Sequence, residues 1–512
     1  MTIDSGHAKE IWPTTLKWCL AVAAMVGLGF VLRVAYYQEG YAHPDESITV
    51  EVVGHMRQSG DWDTNWAKAT KLEAGFRYNQ YNFSSHLFAT YGFYRLVKIL
   101  PGTSSWRSER EGFFVYRFFS VLLASLVVWQ ALRLAGRLGG WAAMLGAGWL
   151  VAVAVQLVQD AHYSRPEAFV TMLTLAAVGA CWPRAAVRPA AVLGGATLVG
   201  LLVACKISML LLVWLPFLPV FVSTGKAWSK WRLALGGVGG LCVGFALGAP
   251  GAVGHPQIFL SGVQHLMTQY AGLHPPHSHI SGSPVADMLG AYYIATLGWP
   301  TVLAAVFGAG LLVWRRRWAE LAVVAGPVVV FAGYFATKAV FFERNLSHVV
   351  PLFLVLASFG VVGAGEWLVG RLRLPVVAVA VVLFALLGLT SLRLTVPLVQ
   401  REFSGDNSRN HDAFEATLRK EHAGVEWKEI YLLSNQDFES FAAHFRAGGA
   451  RLLVRVTDFG DEWTIYNLRG FLAQFSVKVV GDYPATFSGI PVCTLRTYGS
   501  PHDRYYLVTG TR

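Results

Sequence analysis

Two adjacent carboxylates, Asp45 and Glu46, stand in the stretch Tyr41-Ala-His-Pro-Asp-Glu-Ser47, directly after the first apolar run of the chain. Charge beside a bilayer is costly and is retained mainly where it serves a function. A pair of acids stiffened by Pro44 is therefore a candidate for acid–base chemistry, with an ordinary solvated loop as the competing reading. Similar groups recur further on. His162-Tyr-Ser-Arg-Pro-Glu167 carries another acid beside a cation, Lys206 follows Cys205 at a tight corner, and Phe342-Glu-Arg344 precedes a late apolar run. Arg165, Lys206 and Arg344 can stabilise phosphate charge. Each also has a plain structural alternative: Arg165 pairing with Glu167, Arg344 with Glu343, and Lys206 reaching to the membrane interface. His274-Pro-Pro-His-Ser-His279 brings three histidines together. That spacing offers a divalent cation a place, but the prolines and the lack of a nearby carboxylate argue against a preformed site.

The elements that must position these groups are membrane helices. Of 512 residues, 54% are hydrophobic and only 14% charged, and the mean hydropathy is +0.44. A water-soluble core of this size uses far less apolar sequence. The net charge of +11 does not indicate nucleic acid, because Lys and Arg sit in short clusters between apolar runs, as they do in cytoplasmic loops. The five cysteines are scattered and form no CxxC or disulfide framework.

Apolar runs long enough to cross the bilayer are expected at 16–35, 113–132, 141–159, 168–182, 189–204, 207–222, 233–253, 288–314, 321–337, 349–369 and 375–394. The first is expected to be an uncleaved anchor. The stretch 83–100 is apolar but interrupted by His86, Arg95 and Lys98, and it is assigned to an interfacial helix. With an inner N-terminus, the clusters at Arg133/Arg137, Arg184/Arg188, Lys226/Lys230/Arg232, Arg315–Arg317 and Arg371/Arg373 then all face the cytoplasm. This gives an all-α polytopic protein of about eleven transmembrane helices. Asp45, Glu46, Glu167, Lys206, the long loop 254–286 and Arg344 all fall on the outer side.

Residues 1–400 form the membrane unit, including the first external loop 37–112, and residues 401–512 have the composition of a small α/β domain. Helices are expected at 412–420 and 438–446, and strands at 429–433, 451–457, 476–480, 492–497 and 505–508. An odd number of spans places this domain outside the cytoplasm.

A Pro44-Asp45-Glu46 loop after the first span comes before an interfacial helix. A span then opens Tyr116-Arg-Phe-Phe-Ser120 and closes Arg133-Leu-Ala-Gly-Arg-Leu-Gly-Gly140, with a further acidic site outside. In this order the chain resembles the membrane glycosyltransferases of the C-type (GT-C) fold. Within them it is similar to the branch of the protein O-mannosyltransferases and the lipid A aminoarabinose transferase. The resemblance implies sugar transfer from a polyprenyl-phosphate donor to a lipid, glycan or protein acceptor, at the external face of the inner membrane. It makes Asp45 the general base with Glu46 as its neighbour, and puts Glu167 in the place of a carboxylate that is commonly Asp. Lys206 and Arg344 are expected to hold the donor phosphate, with Arg165 as a third cation. His265 resembles a histidine of the long external loop and is a candidate acceptor or metal contact. The chemistry requires no cofactor, and a divalent metal is the remaining option. Tyr81-Asn82-Phe83 departs from the Lys-Pro or Pro-Pro pair that many members carry there.

A lipid phosphate is already a good leaving group, so one base and several cations suffice, and direct displacement implies inversion at the sugar carbon. A transporter or flippase of lipid-linked sugars is the competing reading. It predicts charges deep within several spans and paired broken helices, whereas here the charges gather on one face.

Overall fold

The computed structural model describes residues 15–37, 45–72, 77–101, 109–184, 187–222, 227–273, 284–338, 343–372, 376–404, 406–430, 435–458, 462–484 and 502–512. The chain enters through α1 (Thr15–Val34) and continues into α2 (Glu46–Ser59), α3 (Ser84–Val97) and α4 (Glu109–Val153). α4 is continuous by hydrogen bonding, yet Gly139 and Gly140 leave helical geometry, and Gly140 takes φ +72°, a conformation that needs glycine. A Cβ on Gly136 would meet Met144 at 3.6 Å, and one on Gly148 would meet Leu132. These pairs lie symmetrically about Gly140, so α4 is a helical hairpin whose arms correspond to the expected spans 113–132 and 141–159.

At Ala154 the chain turns extended before α5 (Val155–Ala161). The carbonyls freed by this break are satisfied from other helices, as a low-dielectric interior requires. Arg33 of α1 is fully buried and donates to the oxygens of Val151 and Ala152 at 3.0 and 2.9 Å. Thr395 Oγ1 donates to Val153 O at 2.9 Å.

Next come α6 (Glu167–Ala180), α7 (Pro189–Cys205), 3-10 turns ending in α8 (Leu218–Val222), and α9 (Ala227–Gly248). α7 and α9 touch backbone to backbone, because a Cβ on Gly200 or Gly244 would strike the facing main chain. The pieces α10 (Pro250–Gly254), α11 (Pro256–Thr268), α12 (Pro284–Asp287) and α13 (Ala295–Leu297) lead into α14 (Trp299–Trp314) and α15 (Trp318–Ala336). α16 (Val350–Leu372) and α17 (Val376–Pro397) close the bundle. The apolar segment of α16 is 94% buried, which makes it the central column. Gly308 of α14 and Gly360 of α16 allow the same close approach as α7 and α9.

Among the described residues, five helices are long and apolar enough to cross a membrane, or six if the bent pair Met288–Leu297 and Trp299–Trp314 counts as one. The eleven expected spans are therefore not all single long helices. The expected span 288–314 bends by 105° at Gly298. The run 207–222 breaks into short turns where Pro216 and Pro219 remove backbone donors. α6 and α7 have 14 and 17 residues, fewer than the roughly 20 of a straight crossing.

The segment between α1 and α4 has its own apolar centre. Ile48, Val52 and Met56 of α2, Leu87 and Tyr91 of α3, Trp66, and Tyr116 of α4 pack together. The C-terminal segment follows α18 (Asp406–Glu421) with β1 (Glu426–Ile430), α19 (Asn435–Arg446), β2 (Leu452–Asp458), α20 (Glu462–Gln474), β3 (Phe475–Pro484) and β4 (His502–Thr511). The sheet runs β1-β2-β4-β3, with β1 and β2 parallel and β4 antiparallel to both its neighbours. α20 was not expected from sequence; its Leu468 and Phe471 supply apolar contacts to the sheet's core. The expected strand at 492–497 lies outside the described residues.

Candidate active site

Asp45 and Glu46 are chain neighbours with unlike surroundings. Glu46 opens α2, and its direction points the carboxylate inward, where it is 1% exposed. Arg117 of α4 grips it in bidentate fashion, Nε to Oε1 at 3.0 Å and Nη2 to Oε2 at 2.8 Å. Ser164 donates to Oε1 from its backbone N–H at 2.7 Å and from its hydroxyl at 3.1 Å. Glu46 thus clasps the start of α2 to α4 and to the His162–Glu167 segment. Asp45, the residue before α2, stays partly open, 21% exposed, with Oδ2 3.0 Å from Nη2 of Arg344. Arg344 reaches it from the 3-10 turn Glu343–Asn345, so this pair joins residues far apart in the chain; the Glu343 side chain of the pairing considered from sequence lies outside the described residues.

Glu167 lies at the N-terminus of α6, where unpaired backbone N–H groups favour an anion. Its Oε1 is 2.6 Å from Lys206 Nζ, and its Oε2 is 3.4 Å from Arg165 Nε. Arg165 also binds Asp160 Oδ1 at 2.9 Å. Burial by itself would raise the Glu167 carboxyl, but the charges of Lys206, Arg165 and Arg344 outweigh it and hold the group below the usual carboxylate range. Lys206 caps α7 in an extended conformation, 18% exposed, with Nζ 5.6 Å from the centre of the Phe83 ring.

That ring is presented by a strained stretch. Tyr81 and Phe83 both have positive φ, 62° and 61°, without being glycine. The loop is fixed by Phe83 N donating to Cys205 O at 2.8 Å and Trp66 Nε1 donating to Asn82 O at 2.9 Å. The departure Tyr81-Asn82-Phe83 is therefore docked directly against the Lys206 corner.

Two first-loop and second-loop acids, Asp45 and Glu167, are thus gathered with Arg344, Arg165 and Lys206. His265 stands apart: its ring packs on Tyr78 with centroids 5.3 Å apart, and no described contact ties it to this charge group. Sequence reasoning missed Asp160, His86 and His348. Asp160 carried a usable signal, since it ends an apolar run five residues before Arg165. His86 faces Thr49, and burial, opposed by the charge of Glu167, pushes its imidazole down to about 4. Among the described residues no group of three or more His, Cys, Asp or Glu could hold a metal ion. His274, His277 and His279 lie outside the described residues.

No protein-family model and no curated protein matches this sequence. Solved structures do. The chain is similar to ArnT from Cupriavidus metallidurans bound to undecaprenyl phosphate, with a TM-score of 0.55 and 14% identity over 97% of this chain and 98% of that one. It is also similar to the archaeal oligosaccharyltransferase AglB from Archaeoglobus fulgidus in complex with an inhibitory peptide and a dolichol-phosphate. There the TM-score is 0.53 and the identity 10%, over 86% of this chain and 70% of that one. At such identities the likeness establishes the fold. The chain has the polytopic C-type architecture that the order of its segments implied.

Proposed function

We propose that this protein is an inverting glycosyltransferase that moves a sugar from a polyprenyl-phosphate donor to a lipid, glycan or protein acceptor at the external membrane face. The observation that carries the reading is the convergence of Asp45 and Glu167 with Arg344, Arg165 and Lys206 at the ends of helices. It is supported by a fold shared with proteins solved with undecaprenyl phosphate or a dolichol-phosphate.

In this reading Asp45 is the base, because it keeps a fifth of its side chain exposed. It takes the proton of the acceptor hydroxyl as the acceptor oxygen bonds to the anomeric carbon. The bond from that carbon to the phosphate oxygen breaks, and the electron pair leaves with polyprenyl phosphate, whose added charge Lys206 and Arg344 stabilise. Glu167, already held by two cations, keeps Lys206 and Arg165 in place. Glu46 positions the loop. The transmembrane count is about eleven, with the hairpin arms counted separately and the short helices crossing as broken or tilted segments. Residues 401–512 form an external domain.

The test is transfer by the purified full chain in nanodiscs, given a polyprenyl-phosphate sugar or the corresponding nucleotide sugar. Only the lipid-linked donor should be used, and Lys206→Ala should raise the KM for it. Transfer from the nucleotide sugar without a lipid carrier overturns the assignment.

A further inference from the structure

His348 is a buried polar side chain with no part in the reaction as described above. It lies in the 3-10 turn Ser347–Val349, four residues after Arg344, on a segment packed against α6. The residue is 3% exposed, and Phe331 closes one side of the ring edge-on, with centroids 4.2 Å apart. Its Nε2 meets no hydrogen-bond partner among the described residues. Burying an imidazole nitrogen without a partner is unfavourable, so such a group calls for an explanation, and a bound ligand supplies one. The helix α6 against which this turn packs begins with Glu167, whose carboxylate holds Lys206. One short segment therefore carries Arg344, which meets Asp45, and His348, on a turn packed against the helix that Glu167 opens.

We propose that His348 is a donor-binding residue whose ring N–H donates a hydrogen bond to a phosphate oxygen of the polyprenyl carrier seated at Lys206. This rests on the reading of the charge group as a lipid-phosphate site. A neutral donor adds direction without adding charge beside cations that already repel one another, and Phe331 fixes the ring so that little freedom is lost on binding.

The experiment measures binding of polyprenyl phosphate itself, without sugar, to the full chain in nanodiscs by 31P NMR titration. Wild type should bind. His348→Phe should bind about 10-fold or more weakly, with no fall in Tm, because a second apolar ring fits beside Phe331. His348→Gln, which can still donate, should keep affinity within about 3-fold, and the KM for the sugar donor should follow the same order. If His348→Phe does not fold, His348→Ala against His348→Gln carries the same contrast. Polyprenyl phosphate binding by His348→Phe as tight as wild type overturns the proposal while leaving the site reading intact. Absence of binding by wild type overturns both.

Discussion

Asp45 and Glu46 are adjacent in the chain, yet one ends in a closed clasp and the other stays partly open. A helix turns by about 100° per residue, so neighbours at its start face different surroundings. Here one faces the packed junction of α2, α4 and the His162–Glu167 segment, and the other meets Arg344 at a partly exposed position. Glu46 receives Arg117 and two donors from Ser164 and is sealed from water. Asp45 has a cation beside it and remains partly exposed. Buried charge is therefore no guide to chemistry: the more thoroughly satisfied acid has the least capacity to take a proton.

The sharpest way to break this contrast is Asp45→Asn. Asn keeps the shape but not the basicity, so turnover at saturating lipid donor should fall about 10²–10⁴-fold. The Tm should scarcely move, since a partly exposed ion pair contributes little. Near-normal turnover in this variant, with loss in Glu167→Gln, would transfer the base role to α6.

Glu46→Ala should do the reverse in kind. It removes the carboxylate that the buried Arg117 grips, a change that costs about 3–5 kcal/mol. A large drop in Tm, with inactivity that follows the unfolded fraction, is the expected result. A well-folded, stable and inactive Glu46→Ala protein would place Glu46 in the chemistry instead.

The smallest effect concerns Glu167 and pH. Because its carboxyl is held below the ordinary 4.5 in the folded protein, its contribution to stability is fully present above that value. It is lost as pH falls through the lower folded value, since the unfolded chain takes up the proton first. The Tm advantage of wild type over Glu167→Gln should stay level from neutral pH down to about 5 and shrink below it. An advantage that disappears already near neutral pH would mean that Lys206 and Arg165 do not hold Glu167 ionised.

Much of the architecture was legible in the sequence because hydropathy and helix-breaking residues act locally. The apolar runs, the Gly139-Gly140 turn between two spans, the helix at 83–100 and most of the C-terminal strands could be read in this way. The acidic pair after the first span and the corner at Lys206 could also be located from residue type and order. The break at Ala154 and the broken run 207–222 were less visible, because the carbonyls at such a break are satisfied from elsewhere, as Arg33 and Thr395 do at Ala154.

What the sequence by itself determined was the set of charged groups and the helix ends that carry them. Only the tertiary structure decided their partners. Arg117 reaches Glu46 across 71 positions and Ser164 reaches it across 118, while Arg344 arrives at Asp45 from much later in the chain. His86 came to face Thr49 the same way. The physical reason is that periodicity and hydropathy are properties of neighbouring residues, whereas the choice of an ion-pair partner depends on which distant helix ends the packing brings within about 3–4 Å.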